Sequence, residues 1–181
     1  MPGVGEGMPV RRTIAADRPA LESLYAEAFA DESLMPLVDE LVALGDDVLS
    51  LCIADDGRII AHVMFTRGRT DDAPHVQVAL LGPLAVLPGR QRQGLGRRIV
   101  EAGVSLLLAS PGPQLVLVLG DPGYYGRLGF HPGAPVKPPC ALPAEWADAW
   151  QWRWIAGGDG DPPSGRLELP APWMKHELWS S

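Results

Sequence analysis

The stretch of the chain best suited to chemistry is PGRQRQGLGRR, at residues 88–98. Glycines at positions 94 and 96 would let an anion approach the backbone closely, and the surrounding arginines would supply positive charge. An apolar run typical of a strand precedes the stretch, and one typical of a helix follows it. A basic, glycine-bearing turn at a helix start binds phosphate, because backbone N–H groups and the helix dipole both favour an anion there. The alternative is an ordinary helix start with solvated arginines.

Two other phosphate-binding motifs fit this stretch less well. A P-loop requires GxxxxGK followed by Ser or Thr, a string that the sequence lacks. A dinucleotide fingerprint requires a third glycine where this chain has Ile99. The polar side chains that could join a phosphate site are Arg90, Gln91, Arg92, Gln93, Arg97 and Arg98. The identity of the phosphate must come from the rest of the chain.

The sequence before the turn predicts a first strand, two helices and an antiparallel meander. Alternation over residues 10–14 predicts a first strand, and apolar spacing after Asp17 predicts a helix. The apolar face of that helix comprises Leu21, Leu24, Tyr25, Ala28 and Phe29. A second helix, with Met35, Val38, Leu41 and Val42 on its apolar face, is predicted to end at Gly45. The sequence Asp55-Asp56-Gly57 predicts a β-hairpin, and Gly82-Pro83 predicts an interruption in the following strand.

After the turn, a helix is predicted to reach about Ala109, followed by the aliphatic strand QLVLVLG and a short helix in GYYGRLGF. All six tryptophans lie after residue 145, where WQWRWIA and GRLEL are predicted strands and GGDGDPPSG a loop. Core and sheet cover is the simpler role for these rings, and an aromatic substrate pocket is the alternative. The order β-α-α-β-β-β-α-β-α-β predicts a mixed α/β (α+β) domain.

Length and composition favour one domain. At 181 residues and 46% hydrophobic, the chain is predicted to form a single domain over residues 9–181, with 1–8 as a disordered leader and a Trp-rich segment from about residue 136. A formal net charge of −7 argues against nucleic-acid binding. Cys52 and Cys140 lack metal-ligand spacing, so no metal is expected. No apolar segment resembles a membrane span or a signal peptide, so we expect a cytoplasmic protein without a membrane partner.

The central turn and the short helix together resemble two signatures of the GNAT superfamily of N-acetyltransferases. LGPLAVLPGRQRQGLGRRIV is similar to the acetyl-CoA motif Q/R-x-x-G-x-G/A after a strand, and YYGRLGF is similar to the Tyr-x-x-x-Gly-Phe end piece. The resemblance covers residues 10 to about 135 in element order, and it is nearest to bacterial predicted acetyltransferases. It implies a central, mixed, mostly antiparallel sheet of about six to seven strands, with helices on both faces and a splay between the fourth and fifth strands.

The resemblance also implies acetyl-CoA as cosubstrate and a set of residues that bind it. Backbone groups around Leu84–Val86 would pair with the pantetheine arm, and the turn would hold the pyrophosphate. Asp121 stands where many relatives place an Asn near the cofactor. The implied cofactor-binding residues are Leu84, Ala85, Val86, Gln91, Arg92, Gln93, Gly94, Leu95, Gly96, Arg97 and Asp121.

Catalysis in this family is direct attack of an amine on the thioester. Tyr125 matches the position of the general acid that protonates the leaving thiolate, and its alternative role is that of a core aromatic. A backbone N–H near Leu84 or Val86 would stabilise the oxyanion. Histidines that serve some relatives as the base are replaced here by Leu80 and Gly82. The remaining candidates for a base are His62, His75, Asp31, Glu32 and a water chain, with a structural, hydrogen-bonded role as the alternative for His62.

The predicted function is acetyl-CoA-dependent acetylation of a primary amine on a small molecule or peptide, and the alternative is a non-catalytic acyl-CoA-binding domain. The acceptor is expected over the acetyl end of the cofactor. Loop acids that could favour a cationic acceptor there are Asp31, Glu32, Asp71 and Asp72. The Trp-bearing tail strand could mediate a homodimer.

Overall fold

The computed structural model describes residues 7–109, 112–156 and 160–180. Residues 1–6 of the predicted leader and residues 157–159 of the predicted loop lie outside this range. The described residues form two compact units, the first made of 7–65 and 83–103 and the second of 66–82 and 104–180. Two strands and one helix contribute residues to both units.

The first unit begins with a strand, two helices and a hairpin. Its strands are β1 (Val10–Arg12), β2 (Val48–Asp55), the first part of β3 (Arg58–Thr70) and the last part of β4 (Gln77–Val86), and its helices are α1 (Arg18–Ala28), α2 (Met35–Val42) and the first part of α3 (Leu95–Ala109). β1 pairs antiparallel with β2, with Val10 opposite Ile53. The turn between β2 and β3 has positive φ at Asp56 (50°) and Gly57 (77°). Two successive positive φ values make the tight hairpin turn whose twist matches that of the strands, so the predicted hairpin is confirmed.

Apolar side chains from the helices and strands form the core of the first unit. Leu21, Leu24 and Tyr25 of α1 are buried, as predicted. In α2 the buried residues are Leu37, Val38 and Leu41, whereas Val42, the last helical residue, is 51% exposed. The prediction was therefore wrong for Val42, because the open end of the helix leaves its side chain uncovered. A Cβ at Gly103 of α3 would overlap the Phe65 ring of β3, so this glycine allows close helix–sheet packing.

The second unit centres on one strand whose first four residues are buried. Its further elements are β5 (Leu115–Leu119), α4 (Pro122–Tyr125), β6 (His131–Pro132), β7 (Val136–Lys137), β8 (Trp150–Trp154) and β9 (Gly165–Glu168). β5 pairs in parallel with β4, where Ala79–Leu81 face Val116–Val118, and antiparallel with β8 along its whole length. β6 lies on the other side of β8, and β9 pairs antiparallel with the end of β3 and parallel with β7. Residues 115–118 are at most 1% exposed, so both faces of this strand are covered, as predicted for QLVLVLG.

Three tryptophans form a buried cluster in the second unit. The rings of Trp150 and Trp173 lie 5.7 and 6.2 Å from that of Trp179. Each indole N–H has a partner: Trp150 donates to the Val136 carbonyl, Trp173 to the Thr66 hydroxyl and Trp179 to the Trp173 carbonyl. The predicted core role is confirmed for these three rings, whereas Trp152 and Trp154 are half-buried.

The mixed α/β fold class is confirmed. Nine strands lie in the described residues, more than the six to seven predicted, because β6 and β7 contain only two residues each and are too short to show an alternating pattern. In the same residues, no helix has the length and apolar character needed to span a membrane.

Candidate functional site

The predicted site residues fall into two groups, one in each unit. In the first unit, β4 ends with Ala85 buried and Leu84 and Val86 half-buried. The amide of Leu87 donates to the Ile60 carbonyl of β3 at 2.9 Å, which fixes where the turn begins. Leu84–Val86 therefore end β4, and the turn at 91–97 leads from there into the start of α3.

The turn has an unusual backbone. Arg92 and Gly94 have positive φ values of 61° and 78°. Residues 91–94 are exposed, whereas Leu95 and Gly96 are buried and anchor the start of α3. The first helical bond of α3 runs from the Arg98 amide to the Gly94 carbonyl at 3.0 Å. Because the first amides of any α-helix lack intrahelical partners, the turn ends in N–H groups that suit an anion.

The arginines of the turn differ in their contacts and in their exposure. Arg90 pairs with Asp55 at 2.8 Å, and its Nε donates to the Gln93 side chain at 3.3 Å. Arg98 donates to the Met8 carbonyl. These two residues therefore tie the turn to the hairpin and to the N-terminal segment. Arg92 and Arg97 are exposed, which is what the predicted cofactor role requires of them.

The second group surrounds the short helix α4. Asp121 caps it, since its carboxylate accepts a hydrogen bond from the Gly123 amide at 2.9 Å. At its other end α4 continues as a 3-10 turn over Gly126–Leu128, after which Gly129 has a φ of 86° and the Phe130 amide donates to the Tyr125 carbonyl at 3.1 Å. This is a Schellman motif, in which a glycine ends the helix and the next residue closes it. The Tyr-x-x-x-Gly-Phe spacing thus has a local structural cause.

Tyr125 is held by aromatic and glycine contacts. Its ring packs on Gly120 and makes edge contacts with Tyr124 and Phe130 at 5.0 and 5.6 Å between centroids. Burial raises the pKa of Tyr125 above that of a free phenol, so the hydroxyl keeps its proton at neutral pH. Within the described part of the chain, that hydroxyl forms no hydrogen bond. The phenol is fixed in position and has a proton to donate.

His62 is the centre of a buried hydroxyl network in the first unit. Its Nδ1 lies 2.7 Å from the Tyr25 hydroxyl and its Nε2 lies 2.8 Å from the Ser50 hydroxyl, which also accepts from Thr13 at 2.7 Å. The side chain is 0% exposed, and burial lowers its pKa to about 3. Both ring nitrogens are engaged, so the structure favours the structural role for His62 over the role of base. The other candidates, His75, Asp31 and Glu32, are exposed.

Comparison with known proteins identifies the family. Residues 18–130 match the acetyltransferase (GNAT) family. The chain belongs to this family. The match covers both signatures, the turn in the first unit of this GNAT protein and the helix that carries Tyr125 in the second. The resemblance inferred from the sequence is confirmed.

Relatives of this GNAT protein include enzymes of known structure. It is 35% identical over 133 residues to YjhQ of Escherichia coli K12, an uncharacterized N-acetyltransferase, a match that covers 70% of this chain and 66% of YjhQ. The crystal structure of E. coli YhbS, a GNAT family N-acetyltransferase in complex with CoA, superposes with a TM-score of 0.81 at 27% identity, covering 93% of this chain and 92% of that one. A GNAT family acetyltransferase from Brucella melitensis in complex with acetyl-CoA gives a TM-score of 0.71 at 27% identity, covering 91% and 97%.

The buried His62 predicts how the stability of this GNAT protein depends on pH. Because the folded pKa lies near 3 and the unfolded pKa near 6.5, the unfolded chain binds an extra proton between these values. The free energy of unfolding should therefore decrease as the pH is lowered below about 6.5. This residue contributes up to about 1.4 kcal/mol per pH unit to that decrease. Urea unfolding between pH 5 and 7 measures the slope.

His62→Gln is the control, because an amide can bond both hydroxyls without titrating. It should flatten the slope over that interval. Asp17, whose pKa is lowered by Arg11, contributes only below about pH 5. An unchanged slope in His62→Gln would show that other groups cause it.

The Asp121 cap predicts a difference between two substitutions. Asp121→Ala removes the acceptor of the Gly123 amide and should cost about 1 kcal/mol of unfolding free energy, together with a lower turnover rate. Asp121→Asn keeps a good capping residue and should retain stability. Urea unfolding and steady-state rates check both variants. Equal stability of the two would mean that the capping bond contributes nothing.

One residue near this site was missed from the sequence. Gln151 of β8 is 0% exposed and bonds to the Gly120 carbonyl beside Tyr125. The available signal was one amide between two tryptophans in a strand that alternates, WQW. A polar residue opposite the Trp face is usually solvated, so the pattern favoured an exposed position.

Proposed function

We propose that this chain is an acetyl-CoA-dependent N-acetyltransferase that acetylates a primary amine of a small molecule or a peptide. The observation that carries the proposal is the exposed, basic turn before α3, with positive φ at Arg92 and Gly94. Its amides and its arginines Arg92 and Arg97 fit a pyrophosphate, the group that CoA would place there. The crystal structures of YhbS and of the Brucella relative, which contain CoA and acetyl-CoA, support this reading.

The proposed reaction is a direct transfer in a ternary complex. The neutral amine attacks the thioester carbonyl, the new C–N bond forms, and the C–S bond breaks as the tetrahedral centre collapses. The amine loses a proton to a base or to water, and the departing thiolate gains one from the Tyr125 hydroxyl, which solvent then reprotonates. A raised pKa suits this role because it keeps Tyr125 protonated at the pH where an amine becomes neutral.

The loop acids considered for a cationic acceptor now separate into two pairs. Asp71 accepts from the Arg166 amide and Asp72 from the Ser164 hydroxyl, both at 2.9 Å. Their carboxylates are thus used to hold the segment at 164–166. Asp31 and Glu32 are exposed, and we propose these two as the acids that attract a cationic acceptor.

Two measurements on one preparation test the proposal. Isothermal titration with acetyl-CoA, CoA and NAD should show binding of the first two and none of NAD. Thiol release against a panel of primary amines should then show turnover with some of them. Absence of CoA binding would refute the assignment of the turn. Binding without turnover on any amine would favour the non-catalytic acyl-CoA-binding alternative.

A further inference from the structure

Gln151 is a buried amide in the middle of the second unit. In β8 it pairs with Val118 of β5 on one side and with Pro132 of β6 on the other. Its Nε2 donates to the Gly120 carbonyl at 3.1 Å and, more weakly, to the Ala149 carbonyl at 3.5 Å. Its Oε1 is buried and has no hydrogen-bond partner among the described residues. An unpaired buried acceptor costs free energy that an apolar side chain of similar size would avoid, so sheet stability alone does not explain a glutamine here.

The hydrogen bond from Gln151 is one of two that hold the peptide groups of Gly120 in place. The Gly120 amide donates to the Ala149 carbonyl at 2.9 Å, and its carbonyl accepts from Gln151. Gly120 directly follows β5, so β8 fixes the chain one residue beyond the end of that strand. The carbonyl of this glycine is thereby tied to β8 and its amide to Ala149, the residue just before β8.

The ring of Tyr125 packs against Gly120. A Cβ built on Gly120 would lie 2.9 Å from Cδ2 and 3.4 Å from Cζ of the Tyr125 ring. The first distance is shorter than an ordinary van der Waals contact, and the second is at its lower limit. The phenol ring therefore lies directly on the Gly120 backbone. A shift of the Gly120 peptide would move the surface that sets the tilt of the ring and the place of its hydroxyl.

We propose that Gln151 is a positioning residue for Tyr125, acting through the Gly120 peptide. The inference rests on the proposed function, in which the Tyr125 hydroxyl protonates the thiolate. A proton donor works only within about 3 Å of its acceptor, and a displacement of about 1 Å can cost about 100-fold in rate. Gln151 thus holds the acid in place without touching a substrate.

The test is a double-mutant cycle on the full chain, with turnover of acetyl-CoA and a responsive amine as the readout. Gln151→Met keeps the length of the side chain and removes the amide. We expect kcat to fall at least about tenfold, while KM for acetyl-CoA and the melting temperature stay near those of the wild type. Gln114→Met, an exposed residue just before β5, is the matched control and should leave kcat unchanged.

The double variant Gln151→Met/Tyr125→Phe decides the mechanism. Once the phenol is gone its position no longer matters, so the second substitution should add little to the loss caused by Tyr125→Phe. Losses that multiply would overturn the proposal, as would an unchanged kcat in Gln151→Met. If Gln151→Met fails to fold, Gln151→Leu, which also removes the amide, replaces it in the same cycle with the same expected outcome. An unchanged kcat in Tyr125→Phe alone would instead refute the acid role of Tyr125 in the proposed function.

Discussion

Gly94→Glu is expected to abolish CoA binding and leave the fold intact. A carboxylate at this position would place negative charge in the turn that we propose for the pyrophosphate, and it would force a side chain into the left-handed region at φ 78°. Loss of two charge-assisted hydrogen bonds would weaken binding by at least about 3 kcal/mol, or about 100-fold. Nothing lies within 4 Å of a Cβ at Gly94, so no clash disturbs the core. Isothermal titration with CoA measures the effect.

Two variants separate charge from backbone strain. Gly94→Ala carries the strain alone and should lower the unfolding free energy by about 1 kcal/mol, with a far smaller loss of affinity than Gly94→Glu. Gly89→Glu adds the same charge at another open glycine of the 88–98 stretch, one that lacks a positive φ. It should bind CoA more tightly than Gly94→Glu. Wild-type affinity in Gly94→Glu would place the phosphates elsewhere on the chain.

Tyr125→Phe should lower kcat by about 100-fold or more and leave the affinity for CoA nearly unchanged. The substitution removes only the hydroxyl, which lacks a hydrogen-bond partner in the described residues, so the ring contacts with Tyr124 and Phe130 persist. Positioned acids commonly contribute 10²- to 10⁴-fold, and this donor acts on the leaving thiolate. Steady-state kinetics together with CoA titration separates the effect on turnover from that on binding.

The pH profile offers a second check on Tyr125. Burial raises its pKa, so the acid stays protonated throughout the range where the amine loses its proton. The rate of the wild type should therefore rise with pH and show no descending limb below about pH 10. Tyr124→Phe, the neighbouring phenol, is the control and should keep a nearly normal kcat. A full rate in Tyr125→Phe would exclude the phenol as the proton donor.

Local features of the site were predictable because one or two residues determine them. Gly94 of the first signature and Gly129 of the second both adopt positive φ, which explains why a glycine stands at these two positions. The same holds for the hairpin at Asp56-Gly57. The cap by Asp121 was equally local, since an Asp before a Pro is a common helix start, although the family resemblance implied for this residue only a place near the cofactor.

Features that join distant parts of the chain could not be predicted in this way. Arg90 was expected to add charge to the turn, but it pairs with Asp55, 35 residues away. Gln151 lies 31 residues from Gly120, and its role follows only from the pairing of β8 with β5. An alternating pattern predicts which side chains share a face of a strand, but it does not identify the neighbouring strand. The structural role of His62 likewise depends on two partners that are distant in sequence, Tyr25 of α1 and Ser50 of β2.

The distribution of tryptophan gives this chain an intrinsic fluorescent probe. All six indoles lie in the second unit, and three of them form the buried cluster of Trp150, Trp173 and Trp179. Intrinsic fluorescence thus reports on the second unit, whereas helical circular dichroism draws on α1 and α2 of the first. Coincident transitions by the two probes would demonstrate cooperative, two-state unfolding of the whole chain, and separate transitions would give each unit a stability of its own.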